Sequence, residues 1–455
     1  MTCISTIKTS QEACVLLPPS SLLYDAVKAF AKFNETLNKL CEQVSSQNYS
    51  RKSHEKISSA EVMQELRSIV SIAELREAGS FFTGDDLANE AVSKFMRPIT
   101  SSSIVLDPTC GAGNLLIASS KKLPIKTSLK DTLKLWGCVL TGWDVFPEFI
   151  EATKLRLILE AFQRGSVPNG DTIGELKNLF PHIRQGNALL ENESYSRATH
   201  IFMNPPYGQT PAPQGCSWGG GKVNAAGVFV ECMLAKVAVT TCLVAILPDV
   251  LRSGSRYGHW RTLVDNSVNH QLFIAGRFDH KTDVDVFLLS GIVQKLRTAE
   301  NKHAWEGNDS TSSRKLADHF TISVGPVVPF RDPEVGASYP YIFPRMLPKW
   351  KEISKFDYFR QFSGRVIHPP FVAIRRTSSP SDTHRALATL IGGDSPVAVE
   401  NHLIVAVPNK GGLRECRNLL KVLRHPQTNE FLNKRIRCRH LTVGAVKEIP
   451  WIEGL

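Results

Sequence analysis

The ten cysteines of this chain include no Cys-x-x-Cys pair. That spacing argues against a zinc site and against a disulfide scaffold, and scattered thiols fit a reducing cytoplasm, so no metal is expected. No apolar run approaches the roughly 20 residues of a membrane span, and no membrane partner is expected. Residues 1–21 lack a basic start followed by a clean apolar stretch, so no secretory leader is expected either. The Lys-Ser/Thr of a P-loop is missing after the Gly-rich turn at 111–113, which weighs against a nucleoside triphosphate. Internal repeats are not evident.

What remains is an ordinary globular composition, 42% hydrophobic and 21% charged over 455 residues, enough for two or three domains. The charge is uneven. Residues 341–455 hold 19 lysines and arginines against 9 aspartates and glutamates, so +10 of the net +11 lies in that stretch. Such clustering is either the electrostatic footprint of a polyanionic partner or merely a soluble basic surface.

Residues 20–47 carry Leu22, Leu23, Val27, Phe30, Phe33, Leu37 and Leu40 at helical spacing, and a polar linker follows over 45–59. A second helix is expected over 60–76. Together they form a helical region, 1–73, that is either a bundle against the main domain or a docking arm. A third helix is expected from Asp85, whose paired first-turn aspartates suit the helix dipole. From residue 103 strands and helices alternate: strands at 104–106, 139–142, 200–203, 243–247, 272–274 and 286–292, helices at 114–120, 147–163 and 227–239. That alternation predicts an α/β fold with a doubly wound, mostly parallel sheet over 74–297. Ligands of such sheets lie outside the carboxyl ends of the strands. A polar stretch and then a Pro-rich one predict a linker over 298–348. Beyond it, strands at 372–375, 397–400 and 403–407 and helices at 413–423 and 430–437 predict a small α+β domain, 349–455, with Lys434, Arg435, Arg437 and Arg439 in its densest basic run.

Three strand ends carry chemistry. The first reads Val105-Leu106-Asp107-Pro108-Thr109-Cys110-Gly111-Ala112-Gly113-Asn114, a strand, a turn whose glycines tolerate positive φ, and a helix start. A lone Gly-x-Gly serves many tight turns, but Asp107 beside it could hold an ammonium. The second, Thr141-Gly142-Trp143-Asp144, again ends in an acid, placed to take both hydroxyls of a ribose. The interval between Gly113 and Asp144 exceeds the roughly 20 residues usual in dinucleotide folds, and the lysine-rich stretch 121–134 reads as an insertion. Together these favour an adenosine with a short zwitterionic tail. The third is Met203-Asn204-Pro205-Pro206-Tyr207-Gly208. Two prolines fix φ and remove two backbone donors, so the chain leaves the sheet in a rigid turn. An amide, a bare carbonyl and a ring are held together there, a suitable recess for a planar group carrying an NH2.

In this order the motifs resemble those of S-adenosylmethionine-dependent DNA adenine-N6 methyltransferases of the amino-methyltransferase group. The subgroup is the one, shared with type I modification subunits, in which cofactor motifs precede Asn-Pro-Pro-Tyr and a target recognition domain follows. Gly79-Ser80-Phe81-Phe82-Thr83-Gly84 resembles the upstream cofactor motif, residues 107–113 the main one, Asp144 the ribose acid and Gly186-Asn187-Ala188 the motif near the adenine ring. The stretches 246–251 and 278–287 resemble the late motifs that shape the base pocket. The resemblance covers roughly residues 74–292 and is only loose beyond. It departs at Gly84, where members commonly have proline, and at Asn187, where they commonly have an acid.

The resemblance implies a seven-stranded Rossmann-like methyltransferase sheet, S-adenosyl-L-methionine as cofactor and double-stranded DNA as partner, with a restriction endonuclease or specificity subunit as a further one. It assigns cofactor contact to Phe82, Thr83, Asp107, Cys110, Gly111, Gly113, Asp144 and Asn187, and catalysis to Asn204, Pro205, Pro206 and Tyr207. Hydrogen bonds from the adenine amine to the Asn204 amide oxygen and the Pro205 carbonyl would localise its lone pair for in-line attack on a sulfonium methyl. The base must flip out of the duplex, and stacking on Tyr207 would offset part of that cost. Phe278 or Phe287 either packs the other face of the base or is plain core. Lys222 either touches phosphate or sits in a merely mobile loop. Two other readings stay open: a methyltransferase for RNA or protein glutamine, and a modification subunit inactive without a specificity partner.

Overall fold

A computed structural model describes residues 30–45, 83–191, 193–278, 284–294, 305, 314–452 and 454. They fall into two compact units, one within Met1–Arg252 and Arg256–Lys302, the other within Ser253–Ser255 and His303–Leu455.

Among the described residues the first unit is built on one seven-stranded sheet. Its strands are β1 (Val105–Asp107), β2 (Leu140–Asp144), β3 (Ile183–Gln185), β4 (His200–Met203), β5 (Cys242–Pro248), β6 (Val268–Arg277) and β7 (Asp285–Val293). They lie in the order β3-β2-β1-β4-β5-β7-β6. Parallel pairing joins β3, β2, β1, β4 and β5, and β7 runs against both of its neighbours. The central strands β1, β4 and β5 are buried along their whole length, as expected of strands covered on both faces. That is why they read as continuous apolar runs rather than alternating ones.

The chain leaves β1 toward β2 and β3 and returns to β4 on the other side of β1, so the strand order reverses between β1 and β4. Leu106 pairs with Ile201 there, and Asp107 with Gly142 on the other flank. The carboxyl ends of β1, β2 and β4 therefore open on one edge, at the switch point where such sheets take ligands.

Helices follow the strands. Pro at the first position starts the helix Pro147–Gln163, whose termini match the expected ones. The region read as an insertion instead carries a helix, Leu129–Val139, capped by Ser128; its polar opening is the exposed flank of an element whose Leu129, Leu133 and Trp136 are buried. Among the elements the sequence did not predict are β3, the helix Ile173–Asn178, closed by a Thr172–Glu175 capping box, and the helices Asp249–Ser253 and Gly258–Ser267. Of the N-terminal helical region, the helix Ala31–Ser45 is described; it packs on Pro147–Gln163. Phe30, Leu37 and Cys41 are fully buried, and Asn34 donates to the Glu148 carbonyl at 2.8 Å. Each such apolar side chain contributes about 1.5–3 kcal/mol. The helix expected over 60–76 lies outside the described residues. No helix among the described residues is long and apolar enough to cross a membrane.

In the second unit five strands, Phe320–Val324, Leu403–Pro408, Phe371–Arg375, Ala388–Ile391 and Glu352–Ile353, form a sheet in that order. Successive residues of Phe371–Arg375 enter opposite cores, Val372 and Ile374 on the face of the helix Gly412–Arg424, Phe371 and Ala373 on the other. Part of the stretch read as a linker is structured: Phe320–Val324 and Ala337–Ile342 are strands, short enough that their prolines and polar neighbours hid them. The helix expected at 430–437 is Pro426–Arg435, leaving Arg437 and Arg439 beyond its end.

Candidate active site

Asp107 ends β1 and is fully buried. Its Oδ1 accepts the Thr109 N–H at 3.1 Å, while Oδ2 is buried with no hydrogen-bond partner among the described residues, as is Thr109 Oγ1. Burial pushes the Asp107 carboxyl well above the usual carboxylate range; the Thr109 N–H opposes this and the nearby Asp144 adds to it. A buried acceptor without a donor is costly, and a ligand that brings an ammonium or a hydroxyl would complete it.

Asp144 ends β2. Its Oδ1 accepts from the Phe146 N–H and its Oδ2 from the Gly111 N–H, each at 3.0 Å. Burial pushes its pKa up to about 6 against the pull of those N–H groups. Each oxygen keeps a lone pair for a ligand hydroxyl, and hydroxyls donate best to the ionised form. Affinity for a ribose-containing ligand is therefore expected to hold above pH 6 and to fall as pH drops through 6 toward the weaker binding of the protonated form. Equilibrium dialysis across pH 5–8 measures this, and a flat profile would remove Asp144 from the binding set.

The Gly-rich turn between them is set from below. Gly111 and Gly113 have φ of +50° and +86°, and a Cβ on Gly113 would stand 2.7 Å from the Thr153 side chain. Thr153 Oγ1 donates to the Gly111 carbonyl at 2.9 Å. One turn along the same helix, the buried Arg156 donates through Nη1 to the Ala112 carbonyl and to Asn114 Oδ1, the latter at 2.6 Å. The Cys110 N–H donates to the Trp143 carbonyl at 2.8 Å, and its buried Sγ packs over Gly142. After β3, the Gly186 N–H donates to the Asp144 carbonyl at 2.9 Å, which brings the half-buried Asn187 to the same rim. Asn187 Oδ1 accepts the Leu189 N–H at 3.0 Å.

Across the switch point, Asn204 follows β4 directly. Its Nδ2 donates to Thr83 Oγ1 at 3.0 Å, and its Oδ1 accepts from the Tyr207 hydroxyl at 2.6 Å. The Ile246 carbonyl lies 3.2 Å from the same hydroxyl. Tyr207 is buried, and burial keeps its phenol protonated and so a donor. Its carbonyl accepts from Asn224 Nδ2 at 2.8 Å, and the Ala225 N–H donates to the Gly208 carbonyl at 2.8 Å. The turn that Pro205 and Pro206 make rigid is thus tied down at both ends. Thr83 is buried and its carbonyl accepts from Asn114 Nδ2. Phe82 lies outside the described residues.

Phe278 meets Tyr207 edge-on, ring centroids 6.2 Å apart at 89°. Phe287 is fully buried within β7, opposite Leu247 and Ile274. Lys222 is exposed, and its strand Lys222–Asn224 pairs with Gln209–Pro211. The loop before it is pinned, by Trp218 Nε1 on Glu231 at 2.8 Å and by Arg256 Nη2 on the Gly220 and Lys222 carbonyls at 3.1 and 2.9 Å. In the second unit, Lys434 and Arg439 are exposed and Arg435 and Arg437 half-buried. The buried Arg385 orders this run, donating to Asn433 Oδ1 at 3.3 Å, to the Ile436 carbonyl and to the Cys438 carbonyl at 2.6 Å.

Sequence reasoning missed Asn114, Thr153, Arg156 and Asn224. Arg156 had a signal: a cation inside the apolar run Leu155–Leu159 belongs to the buried side and needs partners there.

No protein-family model matches the chain, and no curated protein does. Among solved structures it is similar to the type IIL restriction-modification enzyme MmeI in complex with DNA, at 11% identity over 88% of this chain and 72% of that one, with a TM-score of 0.52. A DrdV–DNA complex is similar at 12% identity over 88% and 59%, TM-score 0.45. A modification subunit of a type I restriction enzyme from Vibrio vulnificus YJ016 is similar at 16% over 54% and 50%, TM-score 0.37. The chain thus spans about half the length of the Vibrio subunit. At these identities the likeness is one of fold.

Proposed function

We propose that this chain is an S-adenosylmethionine-dependent DNA adenine-N6 methyltransferase of a restriction–modification system. The observation that carries this reading is the facing of two corners at one sheet edge: the orphaned buried carboxylate oxygen of Asp107 beside a Gly-rich turn, and the Asn204 amide held between Thr83 and Tyr207. The residues fit the cofactor. Asp107 answers an ammonium, Asp144 the ribose hydroxyls and Asn187 the adenine edge, with Cys110, Gly111 and Gly113 forming the wall between them. When bound, S-adenosylmethionine supplies an electrophilic sulfonium methyl.

The protein's own part is positioning. Asn204 Oδ1 has two lone pairs and gives one to the Tyr207 hydroxyl. The other, with the Pro205 carbonyl, takes the two N–H groups of an exocyclic amine and draws its nitrogen toward tetrahedral geometry, so its lone pair can attack. No strong base is needed, because the proton can leave after transfer. Stacking of the flipped base on Tyr207, worth about 1–3 kcal/mol, requires its buried ring, with Phe278 now at its edge, to present a face. Lys222 and the run Lys434, Arg435, Arg437 and Arg439 serve phosphates. The fold likeness to MmeI, described as a restriction-modification enzyme in complex with DNA, supports DNA over other substrates.

Incubating the purified chain with methyl-labelled cofactor and plasmid DNA, total RNA or a protein extract tests the reading. Label in DNA, recovered as N6-methyladenine, is expected. Label only in RNA or protein overturns it, and label that appears only after a specificity partner is added makes the chain a dependent modification subunit.

A further inference from the structure

Thr83 stands in a motif whose resemblance assigns it to the cofactor, yet its hydroxyl is spent elsewhere. Thr83 Oγ1 accepts from Asn204 Nδ2 at 3.0 Å across 121 positions of sequence. Its carbonyl accepts from Asn114 Nδ2, Asn114 Oδ1 accepts from Arg156 at 2.6 Å, and Arg156 also holds the Ala112 carbonyl inside the Gly-rich turn. Thr83, Asn114 and Arg156 are all buried, so water does not substitute for these partners. The result is one hydrogen-bonded line from the turn after β1 to the amide after β4.

The Asn204 amide has two orientations. In one, Nδ2 points to Thr83 and Oδ1 to Tyr207; turned over, Nδ2 faces the Tyr207 hydroxyl, which can then donate to the Ile246 carbonyl 3.2 Å away. An amine donates, so the first orientation alone presents it an acceptor. The shorter Tyr207 contact, 2.6 Å to Asn204, belongs to that orientation.

We infer that Thr83 is a positioning residue for Asn204, held in place by Asn114 and Arg156: its hydroxyl anchors the Nδ2 end of the amide, while the short Tyr207 contact selects the orientation with Oδ1 toward the target amine. This deepens the proposed function and rests on it for the identity of the amine. A residue that only bound cofactor would, when altered, raise the cofactor KM and leave kcat at saturation unchanged. The positioning role has the opposite signature.

In Thr83→Val, kcat at saturating cofactor is expected to fall about tenfold, the fold-change of one neutral hydrogen bond lost, with the cofactor Kd from dialysis within about threefold. Thr83→Ser should retain both values. A readout independent of turnover is the Asn204 side-chain amide in chain labelled with 15N-asparagine, its signal identified by its loss in Asn204→Ala. Slow hydrogen exchange is expected in wild type and Thr83→Ser, and fast exchange in Thr83→Val. If Thr83→Val melts early, Thr83→Ala carries the same expectations without added bulk. Unchanged kcat with weakened cofactor binding, an equal loss in Thr83→Ser, or unchanged amide exchange each overturns the inference. A wild-type chain that methylates nothing overturns the proposed function instead, and the amide exchange still decides the role of Thr83.

Discussion

Replacing Asn204 by alanine is expected to lower methyl transfer at saturating S-adenosylmethionine by about a thousandfold or more, the upper range for removing a group aimed at the reacting atom. The cofactor Kd should stay within about threefold, since no carboxylate or glycine of the turn after β1 is altered. The large effect follows from the chemistry of the amine, whose lone pair is delocalised into its ring until two acceptors hold its N–H groups. In the proposed function Asn204 Oδ1 is one of those acceptors. The variant is expected to fold, because the Tyr207 hydroxyl keeps the Ile246 carbonyl within 3.2 Å and the Tyr207 carbonyl keeps Asn224. Filter-bound label and equilibrium dialysis on the same preparation measure the two quantities. Loss of both would mean that Asn204 supports the cofactor pocket, and the assigned role would fall.

What the sequence reveals of this site is its strand ends. Asp107, Asp144 and Asn204 each close an apolar run, and a doubly wound sheet brings such ends to one edge whatever the loops between them do. The helix Pro147–Gln163 is legible to the residue because proline marks its first turn. The partners of those ends are not legible, because they are long-range: Thr83 to Asn204 spans 121 positions and Thr153 to Gly111 spans 42. Tyr207 shows the same limit. Its place in the motif suggests an open ring, but the structure buries it, ties its hydroxyl to Asn204 and sets Phe278 against its edge. Stacking of a base there requires that ring to present a face it now keeps covered. Arg385 is opaque for a further reason. Nothing near it in sequence shows that it will satisfy the carbonyls beyond the helix Pro426–Arg435 and so shape the basic run.

Asp107→Asn is expected to separate stability from binding. For the cofactor, the change removes a charge-assisted partner of an ammonium, and affinity should fall about a hundredfold. For the protein alone the sign reverses. Burial raises the Asp107 pKa above its ordinary value of 3.8, so the folded state holds this proton more tightly than the unfolded chain does. The ionised carboxylate therefore costs stability at neutral pH, and the cost disappears as pH falls from the raised folded value toward 3.8. An asparagine carries no such cost; its oxygen can still take the Thr109 N–H that Asp107 Oδ1 takes at 3.1 Å. The melting temperature of wild type should therefore rise relative to that of Asp107→Asn as pH is lowered from 7 to 4, whatever their difference at pH 7. Bound cofactor reverses this dependence in wild type alone, because an ammonium beside Asp107 favours the ionised form. A pH-independent difference in melting temperature would show that Asp107 is not held as a buried acceptor. Retained cofactor affinity in Asp107→Asn would show that the acceptor serves the turn and not a ligand. On the proposed reading, Asp107 Oδ2 has no partner among the described residues because that partner arrives with the ligand, and the two measurements test the two halves of the proposal separately.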